Sequence, residues 1–323
     1  MNRRLARVSS LCFGITVILI PFLASAAQVY LDPATGKYPP GVTFGVDVRI
    51  DNQGQCINAA EVNLSYPKDV IQAVAASNGD SIFSLWIKTP TIYSDYGLVS
   101  FVGGLPGGYC GRVAGDASLS NKLATIYFRF PTSTAINSST LPRTAQLSFL
   151  AGTRAILNDG AGTQAPLTMG GATYSQILKG KYASLDVWQN AITNDTLPPD
   201  PFTVGVYRDP SLFDNQWFAV FSTVDKQTGI DHYEVAEVSP KGMTLPENQW
   251  NWFPAVSPYL IKDQSLGNTI AVRAIDAAGN IRSERYTPSQ TPQLKQRQVA
   301  ILPYLAVIGI VGFAILQIVL RLF

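Results

Sequence analysis

Most of the chain alternates between apolar and polar residues, which is the pattern of strands with one buried face. Residues 44–50 (FGVDVRI) and 60–66 (AEVNLSY) both follow this period of two, and the second run stops at Pro67. No long amphipathic helical pattern competes with it. Further strands are predicted at 70–75, 82–87, 98–103, 122–130, 145–150 and 154–157.

Stretches rich in turn-forming residues separate these strands. Examples are SNGD at 77–80, GLPGG at 104–108 and NDGAGT at 158–163. Glycine at strand ends commonly serves turns and bulges, so we expect residues 104–108 to form a packed loop after the strand at 98–103. An exposed loop with a binding role is the alternative. Many short strands with such spacing predict an all-β fold with two packed sheets.

The alternating pattern is interrupted near residues 186–201 and then resumes. Residues 186–200 are polar and end in a proline-rich stretch, which predicts a stiff linker or domain entry. The following block, 201–287, has the size of an immunoglobulin or fibronectin-like β-sandwich. Its predicted strands lie at 203–207, 216–223, 232–238, 269–275 and 281–286.

The first 26 residues have the three parts of a secretory signal peptide. Arg3, Arg4 and Arg7 form a basic start, an apolar run covers 11–23, and Ala-Ser-Ala at 24–26 offers a cleavage site. The alternative is an uncleaved membrane anchor, although the apolar run is short for a span. In both cases the chain that follows is exported.

A second apolar segment covers 299–320 and contains no charged residue. As a helix its 22 residues would be about 33 Å long, enough to cross a bilayer. A buried core helix is the alternative, but no polar face is visible in the segment. We therefore predict a transmembrane helix preceded by a stalk at 288–298. The predicted location is the cell membrane, with a single pass and both domains outside the cytoplasm.

The charge balance changes once the targeting segments are set aside. The whole chain has 24 basic and 22 acidic side chains, a net charge of +2. Without Arg3, Arg4, Arg7 and Arg321 the exported part has 20 basic and 22 acidic residues, a net charge of −2. This balance does not favour a nucleic-acid partner.

Two cysteines remain in the exported part, because Cys12 lies in the predicted signal peptide. In an oxidising compartment, Cys56 and Cys110 most simply form one disulfide. The alternative, a metal pair or reactive thiols, lacks ligand partners nearby in the sequence. In the chain-entropy model a bridge over this loop stabilises by roughly 4 kcal/mol. We expect the bridge to hold the turn that joins the two sheets.

Residues 29–183 resemble a cohesin-type domain, the jelly-roll sandwich related to some cellulose-binding modules. The family's pattern of an Asn-Ala pair followed by an aromatic-Pro pair matches Asn58-Ala59 and Tyr66-Pro67, and its Asn-Asp-Gly segment matches 158–160. The segments that carry the resemblance are VTFGVDVRIDNQGQCINAAEVNLSYPKDV, GLVSFVGGLPGG, KLATIYFRF and AILNDGAGT. The second block resembles bacterial immunoglobulin-like repeats through STVDKQTGIDHYEV and AVRAIDAAGN.

The resemblance implies a jelly-roll-like sandwich at 27–185 that acts as an extracellular binding module. Cohesins bind dockerins through one sheet face and their relatives bind polysaccharide, so the predicted partner is a protein or a polysaccharide at the cell surface. No dockerin-contacting motif carries over residue by residue. The alternative function is a structural spacer of the cell envelope.

Enzymatic activity is not predicted. His232 is the single histidine, which excludes a metal site needing two or three histidines. The sequence contains neither a nucleophile-elbow motif nor a glycine-rich phosphate loop.

Two further groups of residues are candidates for binding. Tyr93, Tyr96 and Tyr109 are predicted to lie in loops, where exposed rings could contact sugars, while Trp86 is expected in the core. The alternative is that these tyrosines are ordinary loop residues of a sandwich without a binding role. No cofactor is predicted except calcium, for which four residues at strand ends offer oxygen ligands. Simple turn formation by Asp and Asn is the alternative for these residues. The candidate calcium ligands are Asp225, Asp231, Asp276 and Asn280.

Overall fold

The computed structural model describes residues 26–111, 121–132, 143–177 and 186–288. The predicted membrane helix, and the predicted signal peptide apart from its last residue, lie outside these ranges and stay predictions. Within the described ranges, no helix combines the length and apolar character needed to span a bilayer.

The all-β fold class is confirmed, and the first twelve strands form two sheets. One sheet has the strand order β11-β1-β3-β8-β5, and the other has the order β2-β12-β9-β4-β7-β6 with β10 beside β4. The strands are β1 Ala27–Asp32, β2 Thr35–Tyr38, β3 Thr43–Asp51, β4 Cys56–Ser65, β5 Gln72–Ser77, β6 Leu85–Tyr93, β7 Leu98–Cys110, β8 Asn121–Arg129, β9 Thr144–Phe149, β10 Arg154–Leu157, β11 Leu167–Gly170 and β12 Ala172–Gln176.

These two sheets pack face to face and form what we call the first sandwich. Alternate residues of β3 and β8 meet alternate residues of β4, β7 and β9 in one continuous apolar core. Phe101, Phe128 and Tyr174 are among its largest buried side chains. Burial of one strand face is the physical reason for the period of two in the sequence.

The predicted strands at 44–50 and 60–66 correspond to β3 and β4, and 154–157 coincides with β10. The prediction at 82–87 is partly wrong, because β6 begins only at Leu85. Ile82 is held by a backbone bond to Lys122 of β8, and Phe83 turns its ring into the core. The apolar character of this stretch therefore comes from core packing of a connecting segment.

The glycine-rich stretch after residue 103 is strand, which corrects the prediction of a loop. β4 and β6 both pair with β7 up to Gly104, and β4 pairs with it again at Tyr109 and Cys110, so residues 105–108 form a bulge between the paired stretches. Gly103 lies against Phe83, whose ring would be 2.5 Å from a Cβ at this position. The glycine therefore permits close packing inside the sheet.

The linker predicted at 186–200 contains a short helix, α1 Val187–Asn194. Asp186 caps it, because its Oδ1 accepts hydrogen bonds from the backbone N–H groups of Trp188 and Gln189. The Trp188 ring packs on Tyr127 of β8, with 4.7 Å between ring centroids. The helix thus lies on the outer face of the first sandwich.

The remaining strands form a second, smaller sandwich with its own apolar core. A three-stranded sheet of order β13-β14-β17 faces a four-stranded sheet of order β16-β15-β18-β19. Phe221, Val235 and Val272 are among the core residues between them. The strands are β13 Gly205–Asp209, β14 Leu212–Val220, β15 Ile230–Val238, β16 Phe253–Ala255, β17 Tyr259–Leu260, β18 Thr269–Asp276 and β19 Ile281–Tyr286.

The two sandwiches touch along the segment that leads into β15. Ser77 of β5 donates a hydrogen bond of 2.7 Å from Oγ to the carbonyl of Thr228. The Ser222 hydroxyl donates to the carbonyl of Ser84. Gly229 approaches Asn78 so closely that a Cβ would lie 2.2 Å from Asn78 Oδ1. We call these contacts the joint.

Candidate functional site

The outer face of the larger sheet of the first sandwich carries a continuous row of hydrogen-bonded polar side chains. Arg154 Nη2 lies 2.6 Å from Glu61 Oε2, and Asn63 Nδ2 donates to Glu61 Oε1 at 3.4 Å. Ser100 Oγ donates to Asn63 Oδ1 at 2.8 Å, and Lys88 Nζ donates to Ser100 Oγ at 3.0 Å. We call these five residues the polar face.

The strand register places the polar face. Glu61 and Asn63 are polar positions of β4, whose intervening residues Ala60, Val62 and Leu64 point into the core. Ser100 is directly opposite Asn63 on β7. Arg154 is opposite Glu61 on β10, and Lys88 reaches across from β6.

Stability does not explain this arrangement well. The Glu61–Arg154 ion pair is largely buried, with side-chain exposures of 17% and 27%, and in such a pair the cost of desolvation offsets much of the attraction. A neutral hydrogen bond such as Ser100–Asn63 adds a net of about 1 kcal/mol. The row does fix the directions of several polar groups in advance. Binding to such groups costs less side-chain entropy than binding to groups that must first be ordered.

The structure separates the three tyrosines that the sequence grouped. Tyr93 lies in a strand and not in the predicted loop, because it is the last residue of β6, and its ring lies 4.8 Å from Lys88 Nζ, next to the polar face. Tyr96 lies in a 3-10 turn, Ser94–Tyr96, and is 80% exposed.

Tyr109 is in strand β7 rather than in a loop, and its ring packs against the core. Burial raises the pKa of the Tyr109 hydroxyl. The three rings therefore do not form a shared platform within the described residues. Trp86 packs with Phe83 and Phe101 at the core, as expected.

The disulfide between Cys56 and Cys110 is confirmed, but its predicted position is wrong in one respect. The two cysteines are directly opposite each other on β4 and β7, with 4.2 Å between their Cα atoms. The bridge therefore joins neighbouring strands of one sheet and does not hold a turn between two sheets. Asn158 supports the same region, because its Nδ2 donates to the carbonyl of Gly107 at 2.8 Å.

Three buried aspartates meet where α1 ends and the second sandwich begins. One carboxylate oxygen from each of Asp195, Asp225 and Asp276 lies within 4.8 Å of the others. Backbone N–H groups donate to all three carboxylates, and Thr228 Oγ1 donates to Asp195 Oδ2 at 2.6 Å. Burial, and secondarily the charge of Asp195, raises the pKa of Asp225.

The donor set of this cluster is compatible with calcium, which prefers carboxylate oxygens. Asn280 also reaches it, but its Nδ2 donates to Asp276 Oδ2 at 2.9 Å. Of the four predicted ligands, Asp231 is elsewhere: it is exposed and lies 2.6 Å from Nδ1 of His232. Calcium binding stays a prediction, because the hydrogen bonds made by these carboxylates also fit turn formation.

Sequence reasoning missed most of these residues. Asp195 lies in the predicted linker, and only its nearness to Asp225 and Asp276 in the folded chain links it to the cluster. Glu61 and Asn63 could have been noticed, since they occupy the polar positions of a strongly alternating strand. The sequence around Lys88 shows no regular alternation that would place its side chain on this face, because β6 has register shifts on both sides of Lys88.

No protein-family model matches this chain, and no curated protein matches it. Among solved structures, a cohesin in a cohesin–dockerin complex from Clostridium thermocellum is 13% identical, with a TM-score of 0.37 over 47% of this chain and 93% of that chain.

A non-cellulosomal cohesin from Archaeoglobus fulgidus is 16% identical, with a TM-score of 0.35 over 48% of this chain and 93% of that chain. A cohesin from Clostridium acetobutylicum is 12% identical, with a TM-score of 0.35 over 50% and 96% of the two chains. Similarities this low assign the chain to no family, ligand or partner.

Proposed function

We propose that the protein is a membrane-anchored, non-enzymatic binding module outside the cytoplasm, and that its first sandwich binds a protein partner through the polar face. On this proposal the first sandwich is cohesin-like and jelly-roll-like, and the second is an immunoglobulin-like spacer. Export and anchoring rest on the signal-peptide pattern at 1–26 and the apolar segment at 299–320.

The observation that carries the proposal is the pre-ordered hydrogen-bond row from Lys88 to Arg154 on the outer face of the larger sheet. Its ends are cationic, since Lys88 and Arg154 lie on either side of a single carboxylate, Glu61. A partner with acidic and hydrogen-bonding groups would complement this pattern.

A protein partner is favoured over a polysaccharide by the placement of the aromatic rings. Sugar-binding surfaces rely on exposed aromatic faces beside polar groups. Of the candidate rings, Tyr109 is packed against the core, and Tyr93 is half-buried beside Lys88. Tyr96 remains as the strongly exposed ring.

The test is photo-crosslinking of the full-length chain in its own cells. A photoreactive amino acid replaces Gln146, which is exposed on β9 in the same sheet as the polar face. The matched control replaces Gln28, which is exposed on β1 in the opposite sheet. We expect a discrete protein adduct from position 146 that is absent from position 28.

A second variant connects the adduct to the polar face itself. Asn63→Ala removes the acceptor of Ser100 and the donor to Glu61, and we expect it to weaken or abolish the adduct. Equal adducts from positions 146 and 28, or none from either, would contradict a protein partner on this face. Binding of the purified chain to a glycan array would then favour the polysaccharide alternative, and no binding in either assay would favour a spacer.

A further inference from the structure

Three Asp-Pro peptide bonds occur in the chain, at 32–33, 200–201 and 209–210. An Asp-Pro bond is the peptide bond that hydrolyses most easily, for two chemical reasons. The carboxyl group can attack the carbonyl carbon of its own residue through a five-membered ring, and such an intramolecular attack gains a large advantage from proximity. The proline nitrogen leaves as a basic secondary amine. The structure gives the three bonds different surroundings.

The bond between Asp200 and Pro201 lies in the segment that joins the two sandwiches, and both residues are exposed to solvent. The backbone just before this bond is held in place. The N–H of Asp200 donates to the carbonyl of Val224 at 2.9 Å. Arg282 Nε donates to the carbonyl of Pro199 at 3.0 Å. Water can therefore reach a peptide bond whose position is fixed by the second sandwich.

The carbonyl oxygen of Asp200 accepts a hydrogen bond of 2.6 Å from Thr223 Oγ1. Thr223 is buried, and its hydroxyl lies farther, 3.5 Å, from the carbonyl of Val224. A fixed donor at a carbonyl oxygen stabilises the negative charge that develops there when a nucleophile attacks the carbon. Within the parts of the chain that the structure describes, no hydrogen bond or ion pair engages the Asp200 carboxyl group. This carboxyl is therefore available as the nucleophile.

The carboxylates at the other two Asp-Pro bonds are engaged by partners. Asp209 accepts hydrogen bonds from the backbone N–H of Ser211, at 2.8 Å, and from the Ser211 hydroxyl. Asp32 lies in β1, and its Oδ2 is 3.5 Å from Nε of Arg49. A carboxylate that is hydrogen-bonded or ion-paired in this way is a weaker nucleophile than a free one. These two bonds are internal comparisons for the bond at 200–201.

We propose that the chain cleaves itself between Asp200 and Pro201. The Asp200 carboxylic acid adds through one oxygen to the carbonyl carbon of its own residue, and Thr223 Oγ1 donates to the oxyanion that forms. The C–N bond to Pro201 then breaks, the nitrogen takes up the proton of the carboxylic acid, and residue 200 becomes a cyclic anhydride. Water opens the anhydride and leaves Asp200 with two carboxyl groups at the end of the first fragment. The net reaction is hydrolysis of one peptide bond by one water molecule.

Cleavage here would divide the two sandwiches in sequence without separating them at once. Thr228 Oγ1 in the second fragment donates to Asp195 Oδ2 in the first fragment at 2.6 Å, and Ser77 Oγ donates to the Thr228 carbonyl. The fragments therefore stay together until the joint opens. If the second fragment carries the membrane anchor, as proposed above, opening of the joint releases the first sandwich with its polar face. The cleavage itself depends on neither the anchor nor the partner.

The test follows the purified full-length chain, kept folded with protease inhibitors in neutral and in mildly acidic buffer. Samples are denatured and analysed by mass spectrometry. We expect one fragment that ends at Asp200 and one that begins at Pro201, with much less cleavage at 209–210. Hydroxylamine traps an anhydride, so its presence should leave a hydroxamate at residue 200. Absence of cleavage at 200–201, or equal cleavage at 209–210, would overturn the inference.

Variants separate self-cleavage from cleavage by a contaminating protease. Asp200→Ala should abolish the reaction, whereas a protease would still cut this variant and thereby disprove the proposal. Thr223→Val keeps the side-chain shape without the hydroxyl and should slow cleavage at least about tenfold, since one oxyanion donor in an enzyme contributes about 10²–10³ to the rate. Thr223→Ser keeps the hydroxyl and should retain most of the rate. An unchanged rate in Thr223→Val would remove this residue from the mechanism.

A last comparison covers the case in which Thr223→Val folds poorly. The parent chain unfolded in urea loses the fixed contact between Thr223 and the Asp200 carbonyl but keeps all three Asp-Pro bonds. The folded chain should cleave faster at 200–201 than the unfolded chain, and equal rates would contradict the role of the fold. None of these outcomes changes the photo-crosslinking test of the polar face, so the two proposals fail separately.

Discussion

Substitution of Gly229 by alanine tests the joint between the sandwiches most directly. Gly229 has a φ of +84°, and a Cβ there would lie 2.2 Å from Asn78 Oδ1 and 2.6 Å from the Gly79 backbone nitrogen. Gly279 provides a matched control in the same sandwich. Its φ is +88°, but a Cβ there has no heavy atom within 4 Å.

The two substitutions share one cost and differ in another. Placing alanine in the left-handed region costs roughly 1–2 kcal/mol at either glycine. Only Gly229→Ala also forces the two sandwiches apart at the joint. This separation stretches or breaks the buried hydrogen bond from Ser77 Oγ to the Thr228 carbonyl. A buried hydrogen bond left unsatisfied costs about 1–3 kcal/mol. The excess for Gly229→Ala over Gly279→Ala is therefore about 1–3 kcal/mol.

Differential scanning calorimetry of the purified chain measures this excess. For a unit the size of the second sandwich, 1 kcal/mol corresponds to about 4–8 °C in Tm. We expect Gly279→Ala to lower the Tm modestly, and Gly229→Ala to lower it further and to separate the unfolding of the two sandwiches. Equal Tm values for the two variants would refute the close contact of Gly229 with Asn78.

Three further predictions concern other parts of the molecule. Cys110→Ser should lower the Tm of the first sandwich by about 10 °C, because the bridge closes a loop with a sequence separation of 54 residues and contributes roughly 4 kcal/mol. A reducing agent should reproduce the shift in the parent chain and have no effect on the variant. Asp225→Asn should raise the midpoint of urea unfolding at pH 7 in the presence of a chelator. Asn keeps an acceptor oxygen and removes the buried negative charge, which is unfavourable because burial raises the pKa of the Asp225 carboxyl.

With its folded pKa above the unfolded value, Asp225 should make the parent chain more stable as the pH falls from 7 towards about 4, and the variant should lose this part of the pH dependence. Calcium should raise the midpoint of the parent chain more than that of Asp225→Asn. A lower midpoint for the variant in chelator would contradict the reasoning. Trp188→Ala removes the ring packed on Tyr127 and should increase hydrogen exchange across Val187–Asn194, while the amides of β8 keep their protection.

The sequence by itself determined the all-β class and the position of most strands. In β3, β4 and β19 the predicted and observed bounds agree to within a few residues. The reason is local. A strand with one face in the core alternates between apolar and polar side chains, and this alternation can be recognised from consecutive residues. The disulfide partners also followed from the sequence, because two cysteines in a region that is predicted to be exported have one simple pairing.

Only the tertiary structure decided what depends on contacts between distant residues. β7 pairs with β4 again at Tyr109 and Cys110 beyond its glycines, whereas local propensity predicts that the strand ends before them. The polar face joins Glu61, Lys88 and Arg154 from three strands, and their spacing in the sequence does not predict that they meet. The aspartate cluster likewise depends on how the segment after α1 meets two turns of the second sandwich, since its members are separated by up to 81 residues in the chain. Strand periodicity is short-ranged, whereas a site depends on register and sheet order, which are settled when the sheets pair and pack.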